Sequence, residues 1–471
     1  MLHVLNAITL PLIGDVNLST SLLIVFGICL LAVVGFEFVN GFHDTANAVA
    51  TVIYTKALKP VYAIPWSGTF NFLGVFLGGV AVAMGILKLL PLDELMKLPV
   101  SVGACMVLAV LLASIVWNLG TWYLGIPCSS SHTLIGAMIG ASIAFTWYYG
   151  GAGVNWDKAK EIGLSLILSP LIGFGAAAGL MYLLIHVIKW KALFHIPKGE
   201  NDTPPIVIRL LLITTCTLVS FFHGSNDGQK GVGLLMLILI AFVPAKFAVN
   251  HAIPNDKILL SLNNTEQVLS RTTATGASQA LILSTDSAIE KAKTQLADKV
   301  DTVKTYKFRK EIKAVGKGVT AILSAKDIKL VDKDRATITE ASKQITGITD
   351  FAPIWVIATI SISLGIGTMV GWKRIVVTIG EKIGNEHLNY AQGASSELVA
   401  AATIGLSSSF GLPVSTTHVL SSGIAGSMMA SGGKGNLNSK TLKNIALAWI
   451  LTLPVAIILA LLLFMFFHLF I

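Results

Sequence analysis

The chain has 471 residues, of which 54% are hydrophobic and only 13% are charged, and its mean hydropathy is +0.75. Its 34 Lys and Arg outnumber its 25 Asp and Glu, which gives a net charge of +9. This composition excludes an ordinary soluble globular protein and indicates an integral membrane protein.

Long uncharged runs predict helical membrane spans along most of the chain. They cover residues 21–36, 61–87, 99–156, 162–185, 210–222, 351–372, 398–433 and 444–471. A crossing takes about 20 such residues and several runs could hold more than one, so we expect about ten to twelve transmembrane helices. Because only helices satisfy their own backbone hydrogen bonds in lipid and no β-barrel alternation occurs, the predicted fold class is an all-α polytopic membrane protein.

One stretch, residues 251–350, departs from this pattern with 16 Lys and Arg and 12 Asp and Glu. Its apolar residues recur at helical spacing, which predicts a hydrophilic and mostly helical insert. The excess of basic residues favours the cytoplasmic side of the membrane. The insert is too poor in core residues for a catalytic domain, and acidic residues interrupt its basic runs, so no nucleic-acid partner is expected.

The chain also contains two pairs of similar motifs in the same order. "GFHDTANA" begins at Gly41 and "GSNDGQKG" at Gly224, 183 residues later, whereas "GIPCSSSH" begins at Gly125 and "GLPVSTTH" at Gly411, 286 residues later. The two offsets differ by 103 residues, which is nearly the length of the insert. The pattern predicts a first transmembrane repeat in 1–190 and a second that begins in 205–250, is interrupted by 251–350 and is completed by 351–471.

The number of spans between the motifs sets the orientation of the repeats. We expect five crossings between Gly41 and Gly224, and an odd number turns the second copy upside down. The prediction is therefore two inverted-topology repeats whose helices are broken or re-entrant where Gly and Pro occur in the four motifs. This arrangement places a binding site near the middle of the membrane.

The two Pro-containing motifs are typical of helix N-termini with several hydroxyl groups. Free backbone N–H groups, the positive end of the helix dipole and hydroxyl donors together bind anions, and two facing copies could surround a tetrahedral oxyanion such as phosphate. The alternative is that these residues only cap helices and pack against neighbours. The candidate anion ligands are Ser129, Ser130, Ser131, Ser415, Thr416 and Thr417.

The other two motifs place Asp44 and Asp227 in or beside apolar runs. Carboxylates beside an anion site would repel the anion unless cations lie between them, so we expect a cation or coupling site here. Carboxylate, amide and hydroxyl oxygens suit Na⁺, Mg²⁺ or protons. The further candidate ligands are Thr45, Asn47 and Asn226. The alternative for Asp44 is a helix end that faces water, and Glu37 and Glu397 are weaker candidates for which an interfacial position is equally expected.

The four motifs and the insert within the second half resemble the inorganic phosphate transporter family, most closely its bacterial low-affinity Pit branch. The resemblance covers nearly the whole chain except the insert. It implies an inverted-repeat fold, phosphate symport, location in the bacterial inner membrane and a homodimer. The chain departs from the family's "GANDVANA"-like pattern at two positions: His43 stands at the first Asn position, and Lys230 at the second Asn position of the second copy.

These departures bear on the coupling ion. The resemblance to the Pit branch implies that phosphate moves as a neutral divalent-metal complex together with protons, and sodium coupling is the alternative. Asp44 and Asp227 are then the expected metal ligands, Lys230 a cation beside the phosphate, and His43 a proton carrier because an imidazole titrates near neutral pH. No permanent cofactor is expected, only co-transported Mg²⁺ or another divalent cation and H⁺, or alternatively Na⁺.

Other functional classes fit the sequence less well. A hydrolase using Ser131 and His132 is disfavoured because adjacent helical residues do not face each other and no third group orients them. An ATP-driven pump is disfavoured because no P-loop spacing occurs. A passive anion channel is the remaining alternative, so the predicted function is secondary phosphate transport, not enzymatic catalysis.

Overall fold

The computed structural model describes residues 6–151, 153–199, 202–296 and 302–471, and its regular structure is almost entirely helical. Two short strands, β1 (Asn6–Leu10) and β2 (Gly14–Leu18), pair as a ribbon that the hydropathy pattern did not predict. The helices are, in chain order, α1 (Thr20–Tyr54), α2 (Pro60–Leu77), α3 (Ala81–Leu87), α4 (Leu92–Leu95), α5 (Val100–Tyr123), α6 (Ser130–Tyr149), α7 (Trp156–Val187), α8 (Ile206–His223), α9 (Gln229–Phe242), α10 (Pro244–Phe247), α11 (Asn255–Arg271), α12 (Gly276–Leu296), α13 (Thr302–Ser324), α14 (Asp332–Thr349), α15 (Ile354–Met369), α16 (Lys373–Glu381), α17 (Tyr390–Ser409), α18 (Thr416–Gly432) and α19 (Ser439–His468).

The chain divides into two compact units. The larger unit contains Asn17–Leu235 and Pro353–Ile471, and the smaller contains Ala7–Val16 and Met236–Ala352. In the smaller unit, α11 to α14 bury an aliphatic core that includes Ile258, Leu262 and Ile345 around Phe308. The charged segment is thus helical with its own apolar core, while its cytoplasmic location and the repeat boundaries stay predictions.

Fewer helices are suited to cross a membrane than the expected ten to twelve. Among the described residues, five segments are long and apolar enough: α1, α5, α7, the continuous stretch Ile206–Phe242 and α19. The number rises to at most seven if each of two bent pairs, α2 with α3 and α14 with α15, counts as one span. The difference arises because several apolar runs form short helices: α15 and α18 have 16 and 17 residues, less than the roughly 20 of a full crossing.

Helix contacts in the larger unit occur in matched pairs. α1 packs against α15 while α8 packs against α2, and α6 packs against α19 while α18 packs against α7. Likewise α5 contacts α6, and α17 contacts α18. Matched pairs of this kind are what a duplicated chain would give, although the repeat and its inverted topology stay predictions.

Candidate functional site

The first motif lies inside α1, which continues as an α-helix from Thr20 to Tyr54. The predicted break at this motif is therefore wrong for α1, since Ala and apolar residues on both sides of Gly41 support continuous helix. Helical spacing places Asp44 and Asn47 three residues apart on one face, where the Asn47 amide donates to Asp44 Oδ1 over 3.2 Å. All three described polar residues of the motif, His43, Asp44 and Asn47, are buried.

The second motif distorts its helix without ending it. Between α8 and α9, residues Gly224–Gly228 form one π-helical turn, which adds a residue to the turn and is often found at functional sites. Asp227 and Lys230 are both buried beside this turn, and the Lys230 ammonium lies 2.7 Å from Asp227 Oδ2. In a buried pair of this kind, each charge offsets part of the cost of removing the other from water.

Each Ser/Thr-rich motif begins a helix, as predicted. Ser129 caps α6 by accepting from the His132 N–H over 3.2 Å, and Ser415 caps α18 by accepting from the His418 N–H over 3.1 Å. Gly125 and Gly411 have φ values of +66° and +67°, which permit the sharp turn before each cap. Ser129 and Ser415 are therefore helix caps. The next two residues of each motif also carry hydroxyl groups, and they do not cap the helix.

Asp44 is the point on which the two helix starts converge. Ser130 of α6 donates to Asp44 Oδ2 over 3.1 Å, and Thr417 of α18 donates to Asp44 Oδ1 over 2.7 Å. The Asn47 amide also donates to Thr417 Oγ1 over 3.0 Å. Residues from three helices that are far apart in sequence thus form one buried polar cluster. Thr416 is buried at the same helix start, whereas the side chain of Thr45 lies outside the described part of the structure.

Ser131 and Thr417, which the 286-residue offset makes equivalent, form equivalent contacts. The Lys230 ammonium donates to Ser131 Oγ, which itself donates to the carbonyl of Val414 over 2.7 Å. Lys230 holds the position in the second motif that Asn47 holds in the first, so each hydroxyl contacts the same motif position in the opposite half. Among the described residues, the His132 ring does not hydrogen-bond to Ser131, because its Nδ1 lies 2.9 Å from Ser129 Oγ. The hydrolase alternative therefore gains no support.

Asn226 uses both the nitrogen and the oxygen of its side-chain amide to contact the chain in and just before "GLPVSTTH". Its Nδ2 donates to Ser408 Oγ and to the Leu412 carbonyl over 3.0 and 3.1 Å, and its Oδ1 accepts from the Val414 N–H over 3.2 Å. These contacts hold the turn that leads into α18. Asn226 therefore positions the hydroxyl groups at the start of α18.

His223 belongs to this cluster, and sequence reasoning missed it. Its Nε2 lies 3.7 Å from Asp44 Oδ2 and 3.9 Å from Asp227 Oδ2, and a ligand atom of each of the three residues lies within 4.8 Å of the others. Its Nδ1 lies 2.8 Å from Asn71 Oδ1, a second contact that fixes the ring. Its position four residues before Asp227, at the end of an apolar run, was the available signal.

His43 also belongs to this cluster. Its Nδ1 lies 3.5 Å from Asp44 Oδ1, and its Nε2 lies 3.2 Å from Thr121 Oγ1 on α5. Glu37 and Glu397 are also fully buried, so neither carboxylate faces water. Glu397 accepts from the hydroxyls of Thr51 and Thr215.

The arrangement combines ligands for a cation with ligands for an anion. Two carboxylates and an imidazole nitrogen at these distances can bind a metal ion. Lys230, the hydroxyls beside it and two helix N-termini can bind a tetrahedral oxyanion. Lys230, the group that contacts Ser131, is itself ion-paired with Asp227.

Known proteins match this chain over nearly its full length. Residues 40–460 match the phosphate transporter family. The chain is 39% identical to the low-affinity inorganic phosphate transporter PitA of Escherichia coli (strain K12), over 96% of this chain and 98% of that protein. It is 30% identical to the probable low-affinity inorganic phosphate transporter of Bacillus subtilis (strain 168), over 94% and 95%.

A solved structure has a related fold. It is titled the sodium-dependent phosphate transporter, and it aligns with a TM-score of 0.55 and 20% sequence identity over 95% of this chain and 100% of that chain. The resemblance noted in the four motifs is thereby confirmed at the level of the family. The chain belongs to the phosphate transporter family, and it is an integral membrane transporter rather than an enzyme, which in bacteria places it in the inner membrane.

Proposed function

We propose that this phosphate transporter is a secondary symporter that moves inorganic phosphate as a neutral divalent-metal complex together with a proton. The observation that carries the proposal is the buried cluster in which Asp44, His223 and Asp227 offer ligand atoms within 4.8 Å of one another. This cation-binding cluster adjoins Lys230 and the hydroxyls of Ser130 and Ser131. Metal and phosphate would therefore bind in contact with each other.

The donor set supports a divalent cation as cargo. Two carboxylates supply the negative charge that Mg²⁺ requires, and the imidazole of His223 extends the range to ions such as Mn²⁺ or Zn²⁺. The contact of His223 Nδ1 with Asn71 Oδ1 favours a proton on Nδ1, which would leave the Nε2 lone pair for a cation beside the carboxylates. The same nitrogen can bind a metal ion or a proton, but not both at once.

The anion would bind against groups that can donate hydrogen bonds. Ser130 and Thr417 supply hydroxyls at the starts of α6 and α18, and Lys230 supplies a full positive charge. These groups and the metal ion would together offset the negative charge of the phosphate. Ser131, which accepts from Lys230, would lie beside the same anion. The other predicted ligands are Ser129, Ser415 and Thr416, of which Ser129 and Ser415 would act mainly by capping their helices.

A charge count favours one metal ion and one proton for each phosphate. Two ionised carboxylates and a protonated Lys230 give the site a charge of −1, and HPO₄²⁻ would lower it to −3, which is costly in a buried site. A divalent metal raises the charge to −1, and a proton on His43 makes the site neutral. If the unloaded site returns without that proton, each cycle delivers one H⁺ with the metal phosphate.

Sodium symport is the second candidate, and the fold similarity to a protein titled the sodium-dependent phosphate transporter favours it. Two Na⁺ would supply the same charge as one divalent metal. However, Lys230 stands at the motif position of Asn47 and ion-pairs with Asp227, so a fixed cation replaces an oxygen ligand for sodium. A passive channel would need none of these cation ligands. The homodimer that the resemblance implies remains part of the proposal.

The decisive experiment is radiolabelled phosphate uptake into proteoliposomes at fixed phosphate concentration, with Na⁺, divalent metal and the pH gradient varied one at a time. We expect chelation of divalent metal to stop uptake in the presence of Na⁺, and metal to restore it. Accumulation against the phosphate gradient excludes a channel. Undiminished uptake without divalent metal and without inward proton movement would refute the scheme.

A variant at Lys230 tests the choice between the two cations. Lys230→Asn restores the amide of the first motif, and we expect weaker metal-dependent uptake with a new dependence on Na⁺. Lys160→Asn, at an exposed lysine on α7, is the control and should behave as the wild type.

A further inference from the structure

We propose that a cationic cavity between the end of α5 and the start of α16 is a second, peripheral binding site for phosphate. The cavity has a volume of about 530 Å³, and the aromatic residues Trp122, Tyr123 and Trp372 line it together with Lys373, Arg374 and Lys382. The inference rests on phosphate being the transported anion. It adds a place where the anion is held before or after it occupies the site at Asp44.

The residues that line the cavity carry a net positive charge. Lys373, Arg374 and Lys382 are exposed, and no Asp or Glu is among the described residues that line the cavity. Within the described ranges, none of these three cations takes part in an ion pair with a carboxylate. Glu381, the nearest acidic residue in sequence, instead interacts with the Tyr54 hydroxyl. Three unpaired cations in one concave surface concentrate anions from solution.

Arg374 is held in a fixed position within this cavity. Its guanidinium carbon lies 5.3 Å from the Trp122 ring centre and 5.0 Å from the Tyr123 ring centre, and its Nη1 donates to the Tyr123 carbonyl over 2.8 Å. The Trp122 indole is itself fixed by a 2.7 Å hydrogen bond to the Gly371 carbonyl. A guanidinium has five N–H donors, so several remain for a phosphate without further ordering of the side chain.

The beginning of α16 adds donors on the same side. The helix starts at Lys373, and Trp372 provides no side-chain cap for its first N–H groups. Uncapped N–H groups of this kind carry partial positive charge and bind phosphate oxygens. Arg374, the two lysines and this helix start therefore form one anion-binding surface.

Only a thin layer of side chains separates the cavity from the central cluster. The Trp122 ring lies 5.0 Å from the Phe42 ring in an edge contact, and Phe42 directly precedes His43. The residue before Trp122, Thr121, accepts or donates a 3.2 Å hydrogen bond with His43 Nε2. An anion in the cavity is therefore one aromatic layer away from the residues proposed to bind phosphate.

The test measures phosphate exchange in proteoliposomes with equal phosphate on both sides, so that the orientation of the protein does not affect the result. The variant carries Lys373→Gln, Arg374→Gln and Lys382→Gln. At low ionic strength we expect its half-saturation concentration for inorganic phosphate to rise about tenfold, since a cationic cleft raises local anion concentration by at least that factor. The difference should shrink as salt is added, because salt screens exposed charges, and the maximal exchange rate should match that of the wild type.

The matched control removes three exposed lysines outside the cavity: Lys434→Gln, Lys440→Gln and Lys443→Gln. A backbone bridge between Gly384 and Leu437 brings this segment beside the end of α16, so each triple variant removes three positive charges from neighbouring parts of the surface. The control should change the half-saturation less than twofold. Equal effects of the two triple variants would mean that only general surface charge matters, and would overturn the proposal.

The phosphate group of an anionic lipid offers the same chemistry, so the experiment is run in two membranes. One contains only phosphatidylcholine and the other also contains phosphatidylglycerol. A raised half-saturation in both membranes supports a site for free phosphate, and an effect seen only with phosphatidylglycerol would identify a lipid site and overturn the proposal.

The double variant Lys373→Gln and Lys382→Gln keeps Arg374 and its ring contacts, so it remains informative even if the triple variant folds poorly. It should show a smaller rise in the half-saturation for phosphate. An unchanged half-saturation in the double variant would also count against the proposal. Failure of the wild type to exchange phosphate would refute the proposed function instead.

Discussion

Asp44 accepts hydrogen bonds from residues of two different helix starts and lies beside two histidines. Replacing it with Asn keeps the shape of the side chain but removes the charge that a cation needs. We expect Asp44→Asn to abolish phosphate uptake into proteoliposomes while the protein still elutes as a single folded species in size-exclusion chromatography. Asp157→Asn, at an exposed carboxylate on α7, is the control, and wild-type accumulation by Asp44→Asn would contradict the assignment.

Ser130 and Thr417 allow a test of the anion ligands. Either Ala substitution removes one hydroxyl donor from a buried charged partner, a loss of about 1.5–3 kcal/mol, or roughly ten- to a hundredfold in the half-saturation for phosphate. The control is Ser142→Ala, because the Ser142 hydroxyl is buried on the same helix as Ser130 and has no hydrogen-bond partner among the described residues. If both variants kept the wild-type half-saturation, these residues would have only a packing role.

The residues that the sequence identified are those that are duplicated in it. Asp44 and Asp227 were found from their equivalent places in two motifs, and the hydroxyl groups were found in the same way. The 286-residue offset pairs Ser130 with Thr416, yet Thr417 is the residue that contacts Asp44. That choice depends on how α18 is rotated. His223 was missed because its role requires both the helical spacing to Asp227 and the distant residue Asn71, and neither motif contains it.

At the scale of helices, glycines permit the closest packing in the larger unit. A Cβ atom added to Gly140 on α6 would lie 2.0 Å from the Ile457 carbonyl oxygen on α19, and one added to Gly426 on α18 would lie 2.2 Å from the Phe174 carbonyl oxygen on α7. The two glycines are 286 residues apart, the offset of the Ser/Thr motifs. The sequence alone could not assign these contacts, because a Gly in an apolar helix does not indicate which helix approaches it.

We expect Gly140→Ala and Gly426→Ala each to lower the thermal unfolding temperature in detergent. The added methyl group would force two helices apart, and overpacking of this kind typically costs about 1–3 kcal/mol. Gly163→Ala and Gly175→Ala on α7 are the controls, because nothing lies within 4 Å of a Cβ at either position. Alanine favours helix over glycine, so the controls should be neutral or slightly stabilising. Equal unfolding temperatures for all four variants would show that the close contacts are unimportant.

The helical interruptions differ between the two halves. The sequence predicted a break at both Asp-containing motifs, but α1 is continuous and only the second motif has a π-helical turn. The second motif has three glycines, at 224, 228 and 231, and no alanine, whereas the first has one glycine and two alanines. Glycine weakens a regular helix relative to alanine. Local composition thus accounts for the difference between the two motifs. Their similarity led to the same prediction for both.

At the scale of the whole molecule, the charge count predicts electrogenic transport. A loaded site that is neutral and an unloaded site with a charge of −1 imply one net positive charge moved inward in each cycle. We expect an inward current when phosphate and Mg²⁺ are added together to proteoliposomes on a solid-supported membrane, and little current when either is added alone. A current that requires Na⁺, or uptake with no charge movement, would contradict the count.

The close contact of α6 with α19 and of α18 with α7 also restricts how this transporter can change shape. Where a helix backbone touches a neighbouring backbone without side chains between them, there is no flexible layer along which the two helices could slide. Each pair should therefore move as a rigid arm. The Ser and Thr residues at the starts of α6 and α18 would then be carried by opposite arms. Rotating the arms apart would divide the proposed phosphate ligands between them and release the anion.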